Sequence, residues 1–188
     1  MKIAVVGGIG SGKSEVMKQV ADMGFATLSA DEINAELLAS SKYVESLKKL
    51  FPTVVKDGIV DKAALAKIIF NDDDAREALN ALAHPLIVKS IKQDLRNPLI
   101  VEVPLILESD AIRLFDTIVS VQAPIEKRIE RLVAGRGMTE EDAVARIRAQ
   151  ADENAYAAVS NYVINNDGTV EELRAKAKEL FDFLLNIL

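Results

Sequence analysis

Residues 7–14 read Gly7-Gly8-Ile9-Gly10-Ser11-Gly12-Lys13-Ser14, the spacing G-x-x-x-x-G-K-[ST]. Glycines let a backbone wrap an anion with its N–H groups turned inward. The segment follows the apolar run Ile3-Ala4-Val5-Val6 and opens a helical pattern, so a helix N-terminus adds partial positive charge at the same point. A strand, a glycine loop and a helix start in that order make a phosphate cradle. Gly8, Ile9, Gly10, Ser11, Gly12, Lys13 and Ser14 then form a nucleotide site. Lys13 reaches the β- and γ-phosphates and Ser14 ligates Mg²⁺. The plainer alternative is a glycine-rich turn with an exposed lysine.

Other residues carry chemistry in which two roles compete. Asp31, just past the run Phe25-Ala26-Thr27-Leu28, suits a carboxylate that orients or deprotonates an acceptor hydroxyl. Aspartate is equally favoured as a helix N-cap, and the pattern leaves both roles open. Glu108 either accepts hydrogen bonds from a substrate or sits in a first helical turn, with the structural role favoured. Glu102 either holds a water on Mg²⁺ or pairs with a buried cation. His84 is the only histidine, which argues against a zinc site. Arg136 lies between Gly135 and Gly137. Phosphoryl transfer needs mobile cations to balance charge, so a hinge arginine is a functional candidate. Arg146 follows Asp142 by four residues and fits a surface ion pair as well as a functional role. Arg128, Arg131 and Arg148 read as a solvated helix face.

The elements that must position these residues follow from hydrophobic period. Strand-like runs occur at 2–6, 25–29, 99–103, 117–122 and 161–165, mostly separated by long helical patterns. Short buried strands alternating with helices imply an α/β fold, a three-layer α/β/α arrangement around a parallel sheet. Thr169 with Glu172 predicts a capped final helix whose face carries Leu173, Ala177, Leu180 and Leu184. Thr139 with Asp142 predicts another, running to about Asn154. Residues 32–97 read as a helical insertion without a confident strand. Residues 134–156, after a break at Gly135-Arg136-Gly137, read as a small lid. The nucleotide-binding core is then 1–31, 98–133 and 157–188.

Composition narrows the class of partner. The chain has 188 residues, 49% hydrophobic and 28% charged, with net charge −6 and no cysteine. The acidic balance argues against nucleic acid, whose phosphates demand a clustered basic surface. No apolar run is long enough for a bilayer. The first residues read as strand and loop rather than signal peptide. Cytoplasm is the expected compartment, and oligomeric state stays open.

Taken together, these segments resemble the dephospho-coenzyme A kinases, P-loop proteins related to nucleoside-monophosphate kinases. The likeness rests on the glycine loop, Ala30-Asp31-Glu32-Ile33, His84-Pro85-Leu86-Ile87 and Val103-Pro104-Leu105-Ile106-Leu107-Glu108. It continues through Arg136-Gly137-Met138-Thr139, Arg146-Ile147, Gln150 and Val163-Ile164-Asn165-Asn166-Asp167-Gly168. The resemblance implies a core of five parallel strands, with 32–97 as a coenzyme A-binding domain and 134–156 as the lid. It implies ATP, Mg²⁺ and the small molecule dephospho-coenzyme A as ligands, with transfer of the γ-phosphate to the ribose 3′-hydroxyl as the last step of coenzyme A synthesis. Asp31, Lys13 and Arg136 would be catalytic. His84, Pro104, Leu105, Glu108 and Asp31 would contact the acceptor, and Asn165 and Gly168 would approach adenine. The chain departs from the family in carrying Ser29 in place of an aspartate, and Gly135 where many members carry arginine. Rival readings are another small-molecule kinase on the same scaffold and a nucleotide-gated switch. The latter is disfavoured because Asn165-Asn166-Asp167-Gly168 lacks the lysine of a guanine-binding motif.

Overall fold

The computed structural model describes residues 1–103 and 110–187. The apolar runs form the strands of one parallel sheet: β1 (Lys2–Val6), β2 (Ala26–Ser29), β5 (Leu99–Glu102), β6 (Thr117–Gln122) and β7 (Tyr162–Asn165). Their order is β2-β5-β1-β6-β7. β1 pairs with β5 through Lys2↔Leu99 to Val5↔Glu102, and with β6 through Ile3↔Thr117 to Val6↔Ser120. The chain leaves β1 toward one side of the sheet and later fills the other. This places a topological switch at the carboxyl end of β1, where α/β sheets bind ligands.

Both faces of the central strands are buried, as near-continuous apolar runs require. Ile3 and Val5 of β1 share a core with Ile100, Val119, Val121 and Ile164. Against that face pack Val16, Met17 and Val20 of α1 (Lys13–Asp22), with Leu173, Ala177, Phe181 and Leu184 of α9 (Val170–Ile187). Ala4 and Val6, pointing the other way, are fully buried too. The capping box at the start of α9 is present in both halves. Thr169 N donates to Glu172 Oε2 at 2.8 Å, and Glu172 N donates to Thr169 Oγ1 at 3.2 Å.

The chain divides into two compact units, one of Met1–Ser29 with the chain from Arg96 onward, the other Ala30–Leu95. The second unit holds α2 (Ala30–Ala39), α3 (Ser41–Leu50), α4 (Lys62–Asn71) and α5 (Asp73–Gln93). Its core is Val44, Leu47, Phe51, Val54 and Val55. It also contains a hairpin, β3 (Val55–Lys56) and β4 (Ile59–Val60), that the sequence reading did not expect. Asp57 and Gly58, with φ of 50° and 78°, form its turn.

One further expectation is sharpened and another corrected. The break expected at Gly135-Arg136-Gly137 falls at its last residue: helix α6 (Ile125–Arg136) runs through Gly135 and Arg136 and stops at Gly137, whose φ is 63°. A glycine inside a helix costs about 1 kcal/mol but does not terminate it, whereas a left-handed residue does. The helix begun at Thr139 does not reach Asn154. It ends as α7 (Glu140–Arg148), and Asp152 caps a separate α8 (Glu153–Ala158) by accepting from Asn154 N at 3.3 Å.

Candidate active site

The glycine loop emerges from β1 and turns into α1 at Gly12, which caps the helix without any side-chain hydrogen bond. The first-turn N–H groups of α1 are therefore not covered by a capping side chain, the arrangement an anion exploits. Lys13 is buried, and its Nζ donates to Gly8 O at 3.0 Å, folding the ammonium back over the loop. Ser14 is exposed in the first turn of α1. Glu15 is held below the usual carboxylate range by hydrogen bonds first from Lys18 and then from Arg174. Arg174 Nη2 lies 2.9 Å from its Oε2, tying α9 to α1.

Behind the loop stand residues that sequence reasoning assigned to solvent. Arg128 is 3% exposed. Its Nε donates to Ile9 O at 2.8 Å and its Nη1 to Glu153 Oε1 at 3.2 Å. One turn on, Arg131 donates from Nη1 to Gly10 O at 3.3 Å and from Nη2 to Asn166 Oδ1 at 3.1 Å. Asn166, also buried, donates from Nδ2 to Ser11 O at 2.7 Å. The solvated-face reading of Arg128 and Arg131 is thus overturned. A helix beginning beside the carboxyl end of β6 points its first turns at the loop leaving β1, and the loop carbonyls satisfy the cations. Arg148, by contrast, is exposed as expected. Gln150, at the end of α7, places Oε1 2.6 Å from Ile9 N and accepts from it.

The 165–168 segment lies against the same loop through Asn166. Asn165 and Gly168 flank that contact, and Lys176 Nζ donates to Asn165 O at 2.7 Å and to Asp167 Oδ1 at 3.0 Å. The Lys176 hydrogen bond lowers the Asp167 carboxyl below its ordinary range. Lys127 donates to Asp167 O.

The remaining candidates are placed separately. Asp31 is exposed in the first turn of α2, and His84 is half-buried within α5, both in the second unit. Arg136 is exposed in the last turn of α6, and Arg146 is exposed on α7. Glu102 ends β5 between Val5 of β1 and Ser29 of β2 in register. Pro104, Leu105 and Glu108 lie outside the described residues. Among the described residues no group of three or more His, Cys, Asp or Glu could hold a metal ion. A Mg²⁺ bound through one hydroxyl, nucleotide phosphates and water would require no such group, and the exposed Ser14 hydroxyl is a hard oxygen of the kind such an ion takes. No helix of the described residues is long and apolar enough to cross a membrane.

The family model described as Dephospho-CoA kinase matches residues 1–172. Among curated relatives, the dephospho-CoA kinase of Thermobifida fusca is 33% identical, over 98% of this chain and 96% of its own. That of Thermus thermophilus is 35% identical, over 94% and 88%. A crystal structure from Thermus thermophilus superposes with a TM-score of 0.82 at 31% identity, covering 98% of this chain and 97% of that one. Shikimate kinase from Acinetobacter baumannii shares the fold with a TM-score of 0.63 at 14% identity, over 98% and 93%.

Proposed function

Because this chain belongs to the dephospho-CoA kinase family, we propose that it phosphorylates dephospho-CoA with ATP, the final step of coenzyme A synthesis. The γ-phosphoryl group passes to the ribose 3′-hydroxyl. A bond forms from that oxygen to phosphorus, the bond from phosphorus to the β–γ bridging oxygen breaks, and ADP leaves. The loop amides and the α1 N-terminus bind the phosphates. Lys13 balances charge on the transferring group, and Arg136 joins it from the end of α6. Asp31 accepts a hydrogen bond from the 3′-hydroxyl and takes its proton. Ser14 would hold Mg²⁺, which would supply positive charge to the phosphates when bound.

His84, with Pro104, Leu105 and Glu108, contributes to acceptor binding in this reading. The segment 32–97 is the coenzyme A-binding domain and 134–156 the lid. Asn165 and Gly168 approach the adenine of ATP. The cytoplasm is the proposed compartment. The observation that carries the reading is the buried Lys13 folded onto Gly8 at a helix start that no side chain caps.

Lys13→Met tests it. Turnover falls on the order of a hundredfold or more, since one charge-stabilising group is removed, and ATP no longer raises the melting temperature. A Lys13→Met enzyme with wild-type turnover contradicts the assignment.

A further inference from the structure

Three successive carbonyls of the loop, those of Ile9, Gly10 and Ser11, each accept a hydrogen bond from a different side chain. The donors are Arg128 Nε, Arg131 Nη1 and Asn166 Nδ2, at 2.8, 3.3 and 2.7 Å. A trans peptide is planar, so each C=O points opposite to the N–H of the next residue. Fixing these carbonyls turns the amides of Gly10 and Gly12 away from α6 and Asn166, while the Ser11 amide donates within the loop to Gly8 O at 3.3 Å.

The three donors are themselves anchored. Arg131 Nη2 bonds to Asn166 Oδ1, and Asn166 N donates to Gln122 O at 2.7 Å. Arg128 is paired to Glu153, whose Oε1 also accepts from Ala123 N at 3.2 Å. Such connected, partly buried polar contacts restrict the loop to one arrangement.

The glycines of the loop fit this arrangement. A Cβ at Gly8 would come within 2.3 Å of Arg128 Nη2, and one at Gly12 within 2.3 Å of Asn166 Nδ2. One at Gly10 would meet the Arg128 carbonyl oxygen at 3.0 Å. Arg128 Nη2 has no hydrogen-bond partner among the described residues, although the side chain is 3% exposed. Leaving a buried donor unmatched is costly. Here its positive charge lies against the loop at Gly8.

We infer that Arg128, Arg131 and Asn166 are positioning residues that hold the loop by its carbonyls and so preset its amides for the triphosphate before ATP arrives. Preorganised dipoles need no rearrangement when charge is bound or develops. The inference rests on the reading of this loop as the ATP site.

The test is ATP titration of the full chain by calorimetry, with Arg128→Met, Arg128→Lys, Asn166→Asp and, as a control for lost stability alone, Leu184→Ala in the last turn of α9. Asn166→Asp keeps Oδ1 for Arg131 and replaces the donor facing Ser11 O with an oxygen. Arg128→Met and Asn166→Asp weaken ATP binding about tenfold or more, the loss expected for one charge-assisted or buried hydrogen bond. Arg128→Lys recovers part of that loss, since it keeps the charge without the fork. The KM for dephospho-CoA stays within about twofold of wild type, and Leu184→Ala melts earlier with unchanged ATP affinity. In the nucleotide-free protein, the Gly10 and Gly12 amide NMR signals move or broaden in the loop-side variants and not in Leu184→Ala. If Arg128→Met does not fold, Asn166→Asp carries the test with both readouts. Variants that bind ATP as wild type does, with unmoved Gly10 and Gly12 signals, overturn the inference. A wild-type chain that binds no ATP overturns the site reading, and the inference with it.

Discussion

Gly135 and Gly137 stand two residues apart, yet the structure assigns alanine substitutions at them opposite signs. Gly135 lies inside the last turn of α6, and a Cβ added there meets nothing within 4 Å. Alanine at an exposed helical site removes unfolded-state freedom and gains about 0.5–1 kcal/mol. Gly137 terminates the helix with φ 63°, and its N–H donates to Val133 O at 3.2 Å. Space is open there too, so the penalty is backbone strain alone, about 1–2 kcal/mol for an L-residue forced into the left-handed region. For a chain of this size each kcal/mol shifts Tm by roughly 2–4 °C. Gly135→Ala therefore raises Tm by about 1–4 °C, and Gly137→Ala lowers it by about 2–8 °C. Differential scanning calorimetry of the two variants beside wild type reads the difference directly. Gly135→Ala also keeps wild-type turnover, since residue 135 is already helical with open space for a methyl group. A Gly135→Ala protein that melts earlier than wild type refutes the reasoning, because the backbone at 135 would then not be helical.

Two other outcomes follow from the same geometry. Asp31→Asn lowers kcat by roughly 10²–10⁴-fold, the usual loss for a proton-accepting group, with ATP affinity unchanged in a titration; near-wild-type kcat removes Asp31 from the chemistry. Glu15 has its folded-state pKa lowered from 4.5 by Lys18 and Arg174, so its contribution to stability is present above pH 4.5 and lost as pH falls through the lower folded value. Urea midpoints for Glu15→Gln accordingly lie below wild type at pH 7, and the gap narrows as the pH drops below 4.5; a gap that is constant with pH argues against the ion-paired clasp between α1 and α9.

What the sequence made legible was set by local physics. Short apolar runs alternating with long helical patterns read as strands of a parallel sheet, and the glycine loop with Thr169–Glu172 carries its conformation in its own residues. The β3–β4 hairpin was harder because strands of two residues show no period, although Asp57-Gly58 between Val54-Val55 and Ile59-Val60 was a turn signal of the right kind. Arg128 and Arg131 were illegible for a different reason. A charged residue on an amphipathic helix defaults to solvent, and only the tertiary approach of α6 to the loop carbonyls reverses that default. The available hint was position. Both fall in the first turns after β6, at the sheet edge where the loop begins, three residues apart and so on one helix face. Gln150 was visible as part of a family pattern, but its bond to the Ile9 amide depends on the gap between α7 and α8, which helical periodicity alone ran straight through.

The most direct test of the account is a coupled ADP-release assay with ATP and Mg²⁺, offering dephospho-CoA beside AMP, CMP, shikimate and gluconate. Turnover is expected with dephospho-CoA alone, yielding a product phosphorylated on the ribose 3′-oxygen. Turnover with one of the other acceptors, or ATP binding without acceptor-dependent release of ADP, contradicts it.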